Sequence, residues 1–260
     1  MPGRPWKLSE INLKDVMDME EKFQVAVLPF GATEPHNHHL PYGTDFLTVE
    51  GIGEAICERA WANGARVVLL PTIPYGLNWN LTEFPMTMNV RSTTHGAIIR
   101  DIAKSLAKHG IRKLMILNGH GGNEFKGILR DMCAETDMFI CMSNWWQTAP
   151  EAHAKLFERP GEHGDEMETS VFWALHPELV KFDQAQDGST REPMFQALKD
   201  GSVWITRPWE RATKSSGYGD PRLASQEKGR EFLEAAFDKL STFLTELSSA
   251  KMEGMFPYRE

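Results

Sequence analysis

A chain of 260 residues, 41% of them hydrophobic, has the material for one sizeable core, read here as a single domain over residues 1–260, and this excludes intrinsic disorder. Its 28 Lys and Arg against 36 Asp and Glu leave a net charge of −8, which argues against nucleic acid or an anionic membrane as partner. Three cysteines without paired spacing, Cys57, Cys133 and Cys141, exclude a disulfide framework and a Cys-rich zinc module and suit a reducing cytoplasm.

In chain order, the first twenty residues mix charge with apolar residues and predict no signal peptide, and no later run nears the roughly eighteen apolar residues of a membrane helix. The run QVAVLPF at 24–30 is apolar on both faces and predicts a strand buried in a parallel sheet. Phe46, Val49, Gly53, Ile56 and Ala60 then keep one helical face, and RVVLL at 66–70 predicts a second strand. A helix through Ile98, Ile99, Ile102 and Leu106 leads to a strand at 113–117, and a helix through Phe125, Ile128, Leu129 and Met132 leads to a fourth strand at 138–142. A stripe of Met167, Val171, Ala174 and Leu175 and a polar-faced helix from about Gln226 to Leu247 complete the series. The alternation predicts a doubly wound, three-layer α/β sandwich with a mainly parallel central sheet and right-handed crossovers. In such folds the site gathers beyond the carboxyl ends of the strands.

Three polar clusters fall where that rule puts them. After the first strand, Glu34, His36, His38, His39 and Asp45 lie within twelve residues; in extended backbone Glu34 and His36 point the same way. Carboxylate with imidazole suits Zn²⁺, Mn²⁺ or Fe²⁺, although Asp45 or Thr44 alone would read as a helix N-cap. After the third strand comes Asn-Gly-His120-Gly-Gly-Asn, whose glycines leave room beside His120; Glu124 breaks the dinucleotide pattern. The third cluster, Glu162 to Ser170, opens a helix, where acidic residues suit the dipole but His163 does not; repulsion there should depress its pKa and favour a neutral proton carrier.

Together GATEPHNHHLPYGTD at 31–45, NGHGGN at 118–123 and EHGDEMETS at 162–170 make the chain resemble the creatininase (creatinine amidohydrolase) family of metal-dependent amidohydrolases over most of residues 5–250. The resemblance implies two divalent ions per subunit, zinc first with manganese or iron as alternatives, and a homo-oligomer, often a hexamer. It implies that Glu34 and His120 hold one metal, His36 the other, and that Asp45 bridges them. It assigns Glu166, rather than Glu168, to complete the second metal, because relatives read His-Ala-Gly-Glu where this chain has His163-Gly-Asp-Glu166. Creatinine enzymes read His-Tyr-Glu where this chain has His120, Gly121 and Gly122, and have a tryptophan where it has Arg159; only Trp145 is retained. Gly121, Trp145 and Arg159 are therefore the candidate substrate positions, with Arg159 suited to an anionic substrate, and creatinine is not the expected substrate. The implied reaction is hydrolysis of a non-peptide C–N bond in a cyclic amide, formamide or other small amide, with His163 passing a proton to the leaving nitrogen. The alternatives are a metal-stabilised binding protein without turnover and a two-metal sugar isomerase.

Overall fold

The computed structural model describes residues 3–159 and 161–259. Four strands, β1 (Val25–Phe30), β2 (Val67–Leu69), β3 (Lys113–Asn118) and β4 (Phe139–Asn144), form one sheet in the order β2-β1-β3-β4, with every pairing parallel. The helices are α1 (Leu13–Met17), α2 (Thr44–Ala62), α3 (Ser92–Lys108), α4 (Phe125–Met132), α5 (Pro150–Leu156), α6 (Glu166–Leu175), α7 (Gln196–Lys199), α8 (Trp209–Ala212) and α9 (Gln226–Ser249). The predicted strands and long helices are all present; the short helices lie in stretches with no readable period.

Alternation along the strands builds two cores. Val25, Val27, Val67, Leu69, Met115 and Leu117 face α2, α5, α6 and α9, whereas Ala26, Leu28, Val68, Leu114 and Ile116 face α3 and α4. The result is three layers, as the apolar runs imply, since a strand covered on both faces has no polar side. Residues 6 and 7 close the β2 edge: Leu69 donates its N–H to the Trp6 carbonyl at 2.7 Å, which leaves less of that edge open to another chain. Of the cysteines, Cys57 is buried in α2, while Cys133 is exposed just past α4.

The last helix has more than a polar face. Phe232, Leu233, Ala236, Phe237, Leu240, Leu244 and Leu247 of α9 are buried, most of them in the α2 and α6 side of the core. Its carboxyl end is held by a buried lysine at the foot of β3, whose Nζ donates to the Leu247 carbonyl at 2.7 Å and to that of Ala250. A cation at that end satisfies carbonyls with no helical partner and complements the dipole. At the other end, the Ser225 side chain caps α9 by accepting from Lys228 N–H at 3.2 Å, and Ser225 N–H donates to Ser170 Oγ of α6 at 3.1 Å.

The closest approach of α6 and α9 is at Gly229, where a Cβ would lie 2.0 Å from the Ser170 carbonyl oxygen and 3.0 Å from the Ala174 Cβ. In an exposed helix, Gly to Ala gains about 1 kcal/mol. Here the overlap is with backbone, which has little room to yield, and overpacking costs about 1–3 kcal/mol or more. Gly229→Ala is therefore expected to lower the urea midpoint, while Gly127→Ala, where the added methyl meets nothing within 4 Å in α4, leaves it equal or higher.

Candidate metal centre

The strand order places the centre. From β1 the chain steps to β2 on one side, and the next crossover carries it to β3 on the other, so the carboxyl ends of β1 and β3 flank the switch point where ligands bind in such sheets. Phe30 and Asn118 are register partners at those ends. Glu34 and His36 follow the first by a few residues, His120 follows the second, and Asp45 enters from the first turn of α2. Three asparagines hold these loops together. Asn118 donates from Nδ2 to Asn144 Oδ1 at 2.9 Å, Asn123 donates to Asn118 Oδ1 at 3.1 Å, and Leu77 N–H donates to Asn123 Oδ1 at 3.1 Å. Asn118 and Asn123 bound the loop motif around His120, whereas no sequence motif marks Asn144.

Asp45 divides its two oxygens between two imidazoles: Oδ1 lies 2.9 Å from His36 Nε2 and Oδ2 lies 3.0 Å from His120 Nδ1. The same His120 Nδ1 is 3.0 Å from Glu34 Oε1, yet neither approach has hydrogen-bond alignment, and Asp45 Oδ2 and Glu34 Oε2 are buried with no hydrogen-bond partner. Unpartnered carboxylate oxygens are costly in a protein interior, and a cation among them would remove the cost. Among the described residues, three sets could hold one: Glu34, Asp45 and His120; His36, Asp45 and Glu168; and Glu34, His36 and His163, the ligand atoms of each lying within 4.8 Å of one another.

Glu168, not Glu166, therefore joins the cluster, with Oε1 3.5 Å from His36 Nε2. Glu166 is wholly buried on the other side of the helix start, where it pairs with Lys228 and accepts the N–H groups of Glu158 at 3.0 Å and Arg159 at 2.8 Å. The cause is helical phase: two residues along an α-helix are about 200° apart, so only one of the pair can face the sheet edge. The Asp165 side chain fixes that phase by capping α6 through the Glu168 N–H at 2.9 Å. Position 122 has no room for a side chain, because a Cβ there would meet His120 Nε2 at 2.4 Å.

Burial opposes a charge on His36 and His120, but the carboxylates of Asp45 and Glu168 at the first, and of Glu34 and Asp45 at the second, outweigh it and lift both rings well above the ordinary imidazole range. Burial likewise opposes the Asp45 charge, and His36 and His120 hold that carboxyl well below the usual range. His163 goes the other way. Burial lowers its pKa and His36 adds to the effect, so the depression expected from a helix end is present with desolvation as its main cause. Its Nε2 lies 2.8 Å from the Pro35 carbonyl, which takes the ring proton there and leaves Nδ1 facing Glu34 Oε1 at 3.7 Å.

Beside the cluster is a cavity of about 390 Å³ lined by Asp45, His120, Gly121, Trp145, Trp146, His163, Met167 and Glu168, among others. Gly121 and Trp145 are among its lining residues. Arg159 does not line it; the guanidinium is committed to Asp220. A larger groove nearby, about 680 Å³, takes in His38, Tyr42, Phe84 and Lys214 but none of the clustered carboxylates. His39 belongs to neither: it is buried with Nε2 2.8 Å from Thr169 Oγ1 and Nδ1 without a hydrogen-bond partner.

Burial, with the like charge of His36, lowers the His39 pKa from 6.5 to about 4. A depressed histidine pKa means that the unfolded chain binds the proton more readily, so this contribution to stability is complete above about pH 6.5 and is lost as pH falls toward 4. The gap of about 2.5 units corresponds to about 3 kcal/mol. In urea titrations across that window, His39→Gln should show a shallower fall in stability with acid than the parent; equal slopes would exclude His39 as the source.

The family model described as creatinine amidohydrolase matches residues 9–244. The creatinine amidohydrolase of Pseudomonas putida is 28% identical over 243 residues, covering 85% of this chain and 89% of its own. The 3-dehydro-scyllo-inosose hydrolase of Thermotoga maritima is 24% identical, covering 96% of this chain and 86% of its own. The crystal structure of a protein from Bacteroides fragilis described as a creatinine amidohydrolase superposes with a TM-score of 0.89 at 37% identity, over 95% of this chain and 98% of that one. With the profile matched across nearly the whole length and the fold shared, the chain belongs to the creatininase family.

Proposed function

We propose that this chain is a metal-dependent amidohydrolase acting on a non-peptide C–N bond in a small amide, cyclic amide or formamide. The observation that carries this reading is Asp45, whose two oxygens are turned to different imidazoles, the disposition of a carboxylate shared between two ions. Glu34 with His120 would complete one site and His36 with Glu168 the other, and mixed nitrogen and oxygen donors suit zinc, with manganese or iron as alternatives. Ions held there would supply a water acidified toward a pKa of about 7 and a Lewis acid for the carbonyl.

The protein groups do the rest. His163, left outside those two sets, is a neutral ring with its Nε2 proton committed to Pro35, so Nδ1 is the atom that takes a proton and returns it to the departing nitrogen. That step matters because an amide anion is too basic to leave. Trp145, Trp146 and Met167 give the cavity apolar walls that limit water, and Gly121 leaves space where creatinine enzymes have a tyrosine. With Arg159 paired to Asp220 and no Lys or Arg among the described residues that line the cavity, a neutral amide suits it better than an anion. The relatives' names span creatinine and an inosose, so the family alone does not choose the substrate.

Metal-saturated protein incubated with a panel of lactams, formamides and small amides in ¹⁸O-water is expected to yield an acid product carrying one heavy oxygen. An isomerase would return product of unchanged mass, and a binding protein none. His163→Ala should reduce turnover by about 10²–10⁴-fold without releasing metal. Metal analysis should fall from about two ions per chain toward one in His120→Ala and Glu168→Ala, whereas Glu166→Ala should keep its metal and melt lower, because it removes the buried partner of Lys228 and the acceptor of the Glu158 and Arg159 N–H groups.

Self-association belongs to the same reading. Met194, Phe195 and Trp204 are 91%, 66% and 82% exposed on the arm between α6 and α9, an apolar surface suited to a second copy of the chain. Light scattering should give a mass above that of the monomer, and Trp204→Glu should lower it.

A further inference from the structure

The chain from α8 to the start of α9 meets His163 at its backbone, at the acceptor of its ring proton and at its ring. Its backbone forms a short antiparallel bridge, with Tyr218 N–H donating to the His163 carbonyl at 2.7 Å and His163 N–H donating to the Tyr218 carbonyl at 3.2 Å. Its Ser216 hydroxyl donates to the Pro35 carbonyl at 2.9 Å, the acceptor that also takes the His163 Nε2 proton, and accepts Asn37 N–H at 3.0 Å. Ser216 does this from a left-handed backbone, φ +63°, a conformation that costs a non-glycine residue energy and persists only where the surroundings fix it. From α8 itself, the Trp209 indole packs on the imidazole with ring centroids 5.0 Å apart and planes at 62°. His36 stacks on the same ring at 4.0 Å.

One hydrogen bond to a neutral carbonyl holds a ring by no more than about tenfold over its alternatives, and the second side-chain torsion of histidine is broad. The Pro35 contact alone would leave His163 free to tilt or flip, exchanging the atom offered to the cavity. We propose that Trp209 is a positioning residue that, together with the His36 ring, confines His163 to the orientation with Nε2 on Pro35 and Nδ1 toward the cavity. Trp209 is itself held: the Arg207 guanidinium lies 5.1 Å over its ring and 4.9 Å over that of Tyr218, and pairs with Glu162, the residue before His163. Trp209 is buried and does not line the cavity, so its effect on the reaction passes through the imidazole.

This proposal rests on His163 as the proton carrier, and its test separates the two. In zinc-loaded protein with ¹⁵N-labelled histidine, the His163 nitrogens of the parent should give the shifts of a single Nε2–H tautomer. Trp209→Leu should average them, lower kcat by about tenfold or more and leave KM within about twofold and the metal content unchanged. Trp209→Phe, which keeps an aromatic face, should restore the single tautomer and most of kcat. A single tautomer with undiminished kcat in Trp209→Leu would overturn the assignment, as would equal losses in both variants accompanied by loss of metal, which would mark a structural role only. If the parent turned over no amide, the hydrolase reading would fail, while the tautomer comparison would still decide the role of Trp209.

Discussion

Three carboxylates and three imidazoles share a space of a few ångströms at the carboxyl edge of the sheet, nearly all of it closed to water. An uncompensated buried charge costs several kcal/mol, so this assembly is tolerable only where opposite charges alternate, or where cations sit among the oxygens. The alternation is visible in the pairing of His36 with Asp45 and Glu168, and of His120 with Glu34 and Asp45. Much of the surrounding structure serves to keep it so. The asparagine cross-links tie the ends of β3 and β4 to the loop at Leu77, and the Asp165 cap sets which acid of α6 arrives. A scaffold that let these groups drift by an ångström or two would leave like charges facing one another.

The same burial acts differently on the three rings. His36 and His120 are surrounded by carboxylates and hold a proton strongly, so a cation has to displace it to bind there. His163 has fewer acids close by and a proton donor role already spent on a backbone carbonyl, so burial prevails and the ring stays neutral. One desolvated pocket thus holds two rings that favour the proton and one that does not, and the difference is made by which neighbours each ring meets rather than by depth.

Much of this was legible in the chain itself. Strands apolar on both faces announced a covered parallel sheet, and the polar residues directly after Phe30 and Asn118 announced the edge at which acids and imidazoles gather. What the sequence could not carry was anything set by three-dimensional phase or by distant partners. Glu166 and Glu168 are chemically equal and two residues apart, and only the capped start of α6 decides between them. Arg159 reads as a free cation until Asp220, sixty-one residues later, takes it. Trp209 lies in a stretch of short helices with no period, and nothing near it in the chain announces His163 as its neighbour. The buried state of His39 was equally hidden, because a histidine three residues from the clustered His36 reads as part of the site rather than as the packing partner of Thr169.

The seat of α9 has a consequence for how the protein comes into being. The helix that brings Glu168 to the sheet is packed against α9, and α9 in turn is fastened at its far end by Lys113, at the foot of a strand made more than a hundred residues earlier. During synthesis at about 5–20 residues per second, the stretch from Gln226 to Ala250 takes about 1–5 s to appear. Until it does, α2 and α6 keep uncovered the apolar faces that α9 packs on, and α6 lacks its main neighbour. The nascent chain therefore passes through an interval in which its strands exist but its centre does not, and a chaperone that shields that face, or a pause that prolongs the interval, acts on the yield of active protein without touching any residue of the site.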